Sequence, residues 1–228
     1  EDQAYTYRQF LENVNRMANV LTGLGVGLEN RVMLLLRDTP QMLFSFYGAI
    51  KIGAVPIPSN ILMKAPDFLY MLNDSRAVVL IVDAVFLPEI EKILDQAVFL
   101  KQVIVCGDAD HAHLSFNELL ENADTDFKAA ATTPDDMAFW LYSGRNPEKL
   151  MGAVHHHSHM VYCAEAYAKG ILNMTAEDLA LPIDRLPPDI GQREELLGIY
   201  HATVTTQTLE IPPYGVFWFS LRSTKSHR

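Results

Sequence analysis

Phe10, Val14, Met17, Val20, Leu21 and Leu24 recur at three- and four-residue spacing until Gly23-Leu24-Gly25, and Thr6 with Gln9 three residues on is a capping box. The first predicted element is therefore a helix over about 7–23. The pattern then changes: VMLLLRD, from Val32, is a near-continuous apolar run of the kind found in a strand covered on both faces. Thr39-Pro40 reads as N-cap and first helical residue, and MLFSFYGAIKIG carries that helix to Gly53. AVPIPS is a short extended piece whose prolines suit an edge strand or a strand start. Ala65-Pro66-Asp67 opens a helix through Leu72, AVVLIVD (77–83) reads as strand and PEIEKILDQA (88–97) as helix. QVIVCGD (102–108) is a further strand, and Ser115 to Asn122 a short helix with Glu118 three residues after its cap.

Strands alternating with amphipathic helices predict an α/β fold: a layered, mainly parallel sheet with helices on both faces. The segments near 31–37, 77–83, 102–106 and 137–142 are expected to share that sheet. Between the last two, ADTDFKAAATTPDD (123–136) is the candidate internal linker, polar and rich in Ala and Thr. MAFWLYS (137–143) then ends at a loop, and His157 to Leu172 is helical in pattern, with Met160, Cys163, Ala164 and Tyr167 on one side. From Leu179 the periodicity weakens, although TVTTQTLEI (203–211) has strand character and FWFSLR (217–222) fits either class.

Composition narrows the partners. With 49% hydrophobic and 20% charged residues, the 228-residue chain is globular in type, long enough to bury roughly 70–75% of its unfolded surface. Eighteen basic against twenty-eight acidic side chains give a net charge of −10, and no segment gathers Lys or Arg to track a phosphate backbone, so nucleic acid is not an expected partner. No apolar run reaches the length of a membrane span, and the opening EDQAYTYRQF lacks the pattern of a signal peptide. Cys106 and Cys163 have no paired spacing, which favours a reducing, cytoplasmic setting. The chain starts at Glu1 rather than Met, so a piece of a longer reading frame is expected.

Chemistry concentrates in MAFWLYS-GRNPEKLMG-AVHHHSHMVYCAEAY. A strand, loop and helix in this order can gather phosphate oxygens on backbone N–H groups and a Lys. With Gly144, Gly152 and one Lys149, the loop fits neither a Walker motif nor a dinucleotide fingerprint, and a plain surface turn remains the alternative. His155, His156, His157 and His159 raise a metal reading, since His155 and His159 would share a face of a helix that began early enough. Without a third ligand no metal site is expected. The aromatic and Met positions in YRQF (7–10) and MLFSFY (42–47) are assigned to core packing. No pair of carboxylates is placed for acid–base work, and catalytic residues stay unassigned.

The strings DDMAFWLYS and GAVHHHSHMVYCAEAYAKGILNMTAEDLAL resemble the AMP-binding region of adenylate-forming enzymes, in the benzoate and aryl-CoA ligase branch. TYRQFLENVNRMANVLTGLGVGLENRVMLLL, FYGAIKIGAVPIPSN and DSRAVVLIVD match in the same order. The resemblance implies part of the large N-terminal domain of an acyl-CoA synthetase-like ligase, with ATP, Mg²⁺ and coenzyme A joining a small, benzoate-like carboxylic acid in the reaction. It implies a phosphate loop at Ser143, Gly144, Arg145, Asn146, Lys149 and Gly152, and an acyl pocket near His155, His157, Pro187 and Pro188.

Departures from the family pattern fall in that loop. Where the family has small hydroxyl residues and glycines closed by Pro-Lys-Gly, this chain has SGRNPEKLMG: Pro147 removes an N–H donor, Glu148 adds negative charge, and Met151 takes the place of the closing Lys. Pro187 and Pro188 stand where the family has an aromatic pair. The resemblance further implies that the adenine- and ribose-binding segments and the small C-terminal domain lie beyond Arg228. The expectation is an incomplete AMP-binding domain over 1–228, inactive alone, with uncovered faces that favour self-association. A non-catalytic binding or interaction module is the alternative, and a histidine-based metal-binding protein the third reading.

Overall fold

The structure is a computed structural model that describes residues 4–108, 111–144 and 150–169 and the strands between 179 and 220. It divides into two compact units, Glu1–His157 and Ser158–Arg228.

In the first unit, α1 (Tyr7–Gly23) begins at the expected capping box: the Gln9 N–H donates to Thr6 Oγ1 at 3.3 Å, and Gln9 Oε1 accepts from the Thr6 N–H at 2.9 Å. β1 (Arg31–Leu35), α2 (Pro40–Lys51), β2 (Val55–Pro58), α3 (Ala65–Ser75) and β3 (Val79–Asp83) follow. Next come α4 (Leu87–Glu91), β4 (Gln102–Cys106), β5 (Leu114–Ser115) and α5 (Phe116–Glu121). The predicted helix over 88–97 is instead α4 plus a 3-10 turn over Leu94–Gln96. Leu87 and Ile90 of α4 are buried, as is Ile93 just after it, whereas no residue of the 3-10 turn is buried.

Five strands form one wholly parallel sheet in the order β2-β1-β3-β4-β5. The chain steps from β1 outward to β2, then crosses back past β1 to β3 and on to β4. Right-handed crossovers running in opposite directions place their helices on opposite faces. Accordingly, Val32, Leu34, Val79, Ile81 and Ile104 pack with α1, α2 and α5, while Met33, Leu35, Leu80, Val82 and Val103 pack with α3 and α4. Strands buried on both faces are what the continuous apolar runs encode.

One expectation is overturned. The strand predicted over 137–142 exists as β6 (Met137–Ser143), but it lies outside the parallel sheet and pairs antiparallel with β7 (Met151–His156). β6 does run beside β2, and the prolines of β2 explain why no ladder joins them. The N–H groups of Val55 and Ser59 donate to Asn30 and Leu34 of the β1 side. With a period of two, Pro56 and Pro58 therefore face the outer edge, which offers carbonyls and no donors.

Segment 123–136 crosses α1 and α2. Asn15 Nδ2 donates to the Thr125 carbonyl (2.7 Å), Asn19 Nδ2 to those of Asp124 and Asp126 (both 2.9 Å), and the Ala130 N–H to that of Lys51 (2.9 Å). α6 (His157–Tyr162) begins at the end of this unit and is followed by a π-helical stretch, Cys163–Lys169, where an uninterrupted helix was expected. In the second unit, β8 (Leu179–Pro182), β10 (Thr203–Val204) and β11 (Thr208–Ile211) form an antiparallel sheet in the order β10-β11-β8. β9 (Glu194–Gly198) and β12 (Phe217–Ser220) form an antiparallel pair.

Candidate functional site

The β6–β7 hairpin contains the segment that the sequence marks as the candidate phosphate loop. Ser143 pairs with Met151 and Tyr142 with Gly152, so the loop between them is a hairpin connection rather than the strand-to-helix turn expected from the sequence. Ser143 and Gly144 lie at one end of the loop, both exposed, and Gly152 at the other; Arg145, Asn146 and Lys149 lie outside the described residues. Gly144 has φ 143°, a value that favours glycine. Gly152 makes a close approach instead: a Cβ there would stand 3.2 Å from the Tyr142 ring, which would have to give way.

Side chains hold the hairpin against the sheet. On one face, Phe139 lies between Phe46 of α2 (ring centroids 5.4 Å) and His155, its cross-strand partner, stacked at 4.5 Å with an interplanar angle of 2°. On the other, the Arg31 guanidinium sits over the Trp140 ring at 5.8 Å. Nearer the loop, the Tyr142 hydroxyl donates to Asp74 and the Tyr70 hydroxyl to the Leu150 carbonyl at 3.1 Å, both acceptors being reached from or by α3. Burial first, and Asp74 second, push the Tyr142 hydroxyl well above its ordinary pKa, so it stays a proton donor.

The histidines divide by element. Because α6 starts at His157, His155 and His156 belong to β7, and the helical i, i+4 arrangement of His155 with His159 does not form. His156 Nδ1 pairs with the Asp135 carbonyl, which places the ring proton on Nδ1. The His157 N–H donates to the Asp136 carbonyl at 3.1 Å, while its Nε2 and the Nε1 of Trp140 are buried with no hydrogen-bond partner among the described residues. Asp136 is held below the usual carboxylate range by the Thr133 N–H, then by its hydroxyl. Of the expected acyl-pocket residues, His155 and His157 thus flank the strand–helix junction, and Pro187 and Pro188 lie outside the described residues. Among the described residues no three His, Cys, Asp or Glu side chains gather to hold a metal ion, so no Mg²⁺ ligand set is assigned. No helix among them is long and apolar enough to cross a membrane.

Away from the loop, a cleft of about 770 Å³ opens between the first turns of α1 and α2, lined by Tyr5, Tyr7, Phe10, Phe44, Tyr47 and Asp38. Rings connect it to the hairpin in a continuous series: Phe10–Tyr47 at 5.8 Å, Tyr47–Phe46 at 5.3 Å, then Phe139 and His155. Sequence reasoning assigned YRQF and MLFSFY to core packing; Phe44 fits that role at 3% exposure, whereas Tyr7 is 94% exposed. It passed over Tyr70, Asp74 and Tyr142, whose partners lie 68 and 80 positions apart in the chain.

Residues 1–183 match the family described as AMP-binding enzyme. Similar curated relatives include a benzoate–CoA ligase of Thauera aromatica, 37% identical over 184 residues that cover 80% of this chain and 34% of the relative. A 4-hydroxybenzoate–CoA/benzoate–CoA ligase of Rhodopseudomonas palustris is 35% identical over 156 residues, 68% of this chain and 29% of its own. Among solved structures, the anthranilate CoA ligase AuaEII in complex with anthranoyl-AMP superposes with a TM-score of 0.75 at 33% identity, covering 78% of this chain and 34% of that one. A benzoate CoA ligase from Burkholderia xenovorans LB400 gives 0.67 at 35% identity, with 76% and 34% covered. The chain spans about a third of the length of these relatives. Fold, motif order and sequence agree, and the chain belongs to the AMP-binding enzyme family.

Proposed function

We propose that this chain is part of an acid–CoA ligase acting on a benzoate-like carboxylic acid, and that its β6–β7 loop is the nucleotide phosphate loop. The observation that carries the reading is the hairpin itself: Ser143 and Gly144 at one end and Gly152 at the other bracket the segment that the family resemblance assigns to phosphate binding. In such a ligase, a carboxylate oxygen attacks the α-phosphorus of ATP and expels pyrophosphate, giving an acyl-adenylate. The thiol of coenzyme A then attacks the acyl carbonyl, loses its proton and releases AMP. Mg²⁺, when bound, offsets phosphate charge. The loop's part is to hold the β- and γ-phosphates on N–H and hydroxyl donors while charge builds on the leaving group. His155, packed on Phe139, and His157 at the head of α6 are proposed to border the acyl site.

The loop sequence argues for weak nucleotide binding. Pro147 supplies no N–H, Glu148 opposes a polyanion, and Met151 replaces a cation, while loss of a single oxyanion donor costs on the order of 10²–10³ in rate. We therefore expect this 228-residue chain to give no acyl-adenylate. A non-catalytic binding module on the same fold is the second reading, favoured by those three residues. The free thiols Cys106 and Cys163 are compatible with a reducing, cytoplasmic setting. The test is carboxylate-dependent exchange of labelled pyrophosphate into ATP with benzoate, ring-substituted benzoates and aliphatic acids. Exchange above a no-protein control that disappears in Lys149→Ala would overturn the inactive reading and support the ligase. No exchange, with activity when the loop and remaining segments come from a complete relative, would support both parts of the proposal.

A further inference from the structure

The β6–β7 hairpin has no ladder to the parallel sheet among the described residues, because β2 presents Pro56 and Pro58 at its outer edge. Its position is therefore set by side chains. Phe139 against Phe46 and Trp140 against Arg31 act on the first half of β6. At the loop end the anchors come from α3. Tyr70 and Asp74 stand one turn apart, on one helix face. Asp74 accepts a hydrogen bond from the Tyr142 hydroxyl at the close of β6, and Tyr70 donates to the Leu150 carbonyl just before β7. The Tyr142 ring also meets Gly152 across the strands, so both sides of the hairpin are tied to one helix.

We propose that Tyr70, Asp74 and Tyr142 are positioning residues that latch the base of the 143–152 loop to α3. What the loop holds rests on the nucleotide reading above; the latch itself rests on this geometry. The three residues touch no substrate. They act by fixing where Ser143, Gly144 and Gly152 stand relative to α3 and the β2 edge of the sheet. Positioning of this kind matters because a displacement of about 1 Å at a reacting group can cost about 10²-fold in rate. Tyr142 suits the task, since its hydroxyl remains protonated and donates to a carboxylate, the stronger class of hydrogen bond.

The test is amide hydrogen exchange on the full chain, read separately for 137–144, 150–156 and the core strands 79–83 and 102–106. Tyr142→Phe keeps the ring and removes only the hydroxyl; Asp74→Asn keeps an acceptor oxygen; Asp74→Ala removes it. Tyr142→Phe and Asp74→Ala are each expected to speed exchange around the loop base about tenfold, in keeping with loss of one charge-assisted hydrogen bond. The core strands should be unchanged, Asp74→Asn, which keeps an acceptor but not its charge, should fall between wild type and Asp74→Ala, and the double variant should be no faster than either single one. Tyr70→Phe should act on 150–156 alone. Exchange in Tyr142→Phe equal to wild type, or a rise shared evenly with the core strands, would overturn the latch. MgATP titration of the same variants, each also carrying Pro147→Gly, Glu148→Thr and Met151→Lys so that the loop has its donors and cation, separates the two readings. Localised exchange changes with no MgATP binding in any variant would support the latch and remove the nucleotide reading. MgATP affinity unchanged while loop-base exchange rises tenfold would overturn the positioning role.

Discussion

Replacing Gly48 by alanine probes the tightest point of the α1–α2 pair, the layer on which one half of the core rests. A Cβ at this position would lie 2.8 Å from both Cβ and Cγ of Met17 and 3.3 Å from the Ala18 nitrogen. Carbon pairs rest at about 3.5–4.0 Å, so the helices must part by roughly 0.7–1.2 Å. Met17 and Ala18 are fully buried, and although rotation about χ1 can move Met17 Cγ, it moves neither Met17 Cβ nor the Ala18 nitrogen, so the overlap persists. Helix propensity works in the other direction, favouring Ala over Gly by about 1 kcal/mol. Overpacking costs about 1–3 kcal/mol, and parting the helices also loosens the buried neighbours Phe44 and Ala49. The net expectation is destabilisation by about 1 kcal/mol for Gly48→Ala and about 3 kcal/mol for Gly48→Val, which adds two more methyl groups to the same gap. Gly23→Ala is the control, because nothing lies within 4 Å of its added Cβ; it should be neutral or stabilising by up to about 1 kcal/mol. In urea unfolding followed by circular dichroism, with a slope of about 2 kcal/mol/M, the midpoints should fall by about 0.5 M and 1.5 M for the two Gly48 variants and hold or rise for Gly23→Ala. A Gly48→Ala midpoint at or above wild type would refute the reasoning.

Thiol labelling of the native chain should modify Cys163, which is exposed, and spare Cys106, which is buried and whose thiol is pushed up by burial and then by Asp83; equal labelling rates would contradict the described core. Asp136 should stabilise the 133–136 turn on the alkaline side of its titration. Its folded pKa is depressed, so the contribution is full above the unfolded value of about 3.9 and is lost as the pH falls through the folded value. The gap in urea midpoint between wild type and Asp136→Asn should therefore shrink between pH 6 and pH 3, and a gap independent of pH would refute this. Gly152→Ala should push the Tyr142 ring from its place and raise exchange at the loop base as Tyr142→Phe does; wild-type exchange would show that the ring has room to yield.

What the sequence disclosed and what it hid follow from the range of the forces involved. The helix over 7–23 was legible because its cap and its apolar period are both local, and the capping box forms between Thr6 and Gln9 as expected. The strands 79–83 and 102–106 were legible because burial on both faces leaves an unbroken apolar run. The region 88–97 was read in part: its first half is the helix α4, and its second half is a 3-10 turn that buries none of its own residues, a change of winding that the apolar spacing does not signal. The partner of 137–143 was hidden for another reason. Its pairing depends on which way Pro56 and Pro58 face, and that is decided by the register of β2 on β1. That a loop follows the strand 137–143 was legible from its apolar run and glycines, but Tyr70 and Asp74 reach the loop base from a helix far earlier in the chain, and no local pattern announces them.

The central claim, that the β6–β7 loop is a nucleotide phosphate loop weakened by its own sequence, is tested most directly by calorimetric titration of MgATP into the 228-residue chain and into the triple variant Pro147→Gly, Glu148→Thr, Met151→Lys. Restoring an N–H donor, removing a negative charge and adding a cation beside the phosphates should tighten binding at least tenfold, with each hydrogen bond to a charged group contributing about 1.5–3 kcal/mol. The expected result is weak or unsaturated binding by the unaltered chain and clear saturation by the variant. Tight binding by the unaltered chain, or no gain in the variant when its fold is intact by circular dichroism, would contradict the account.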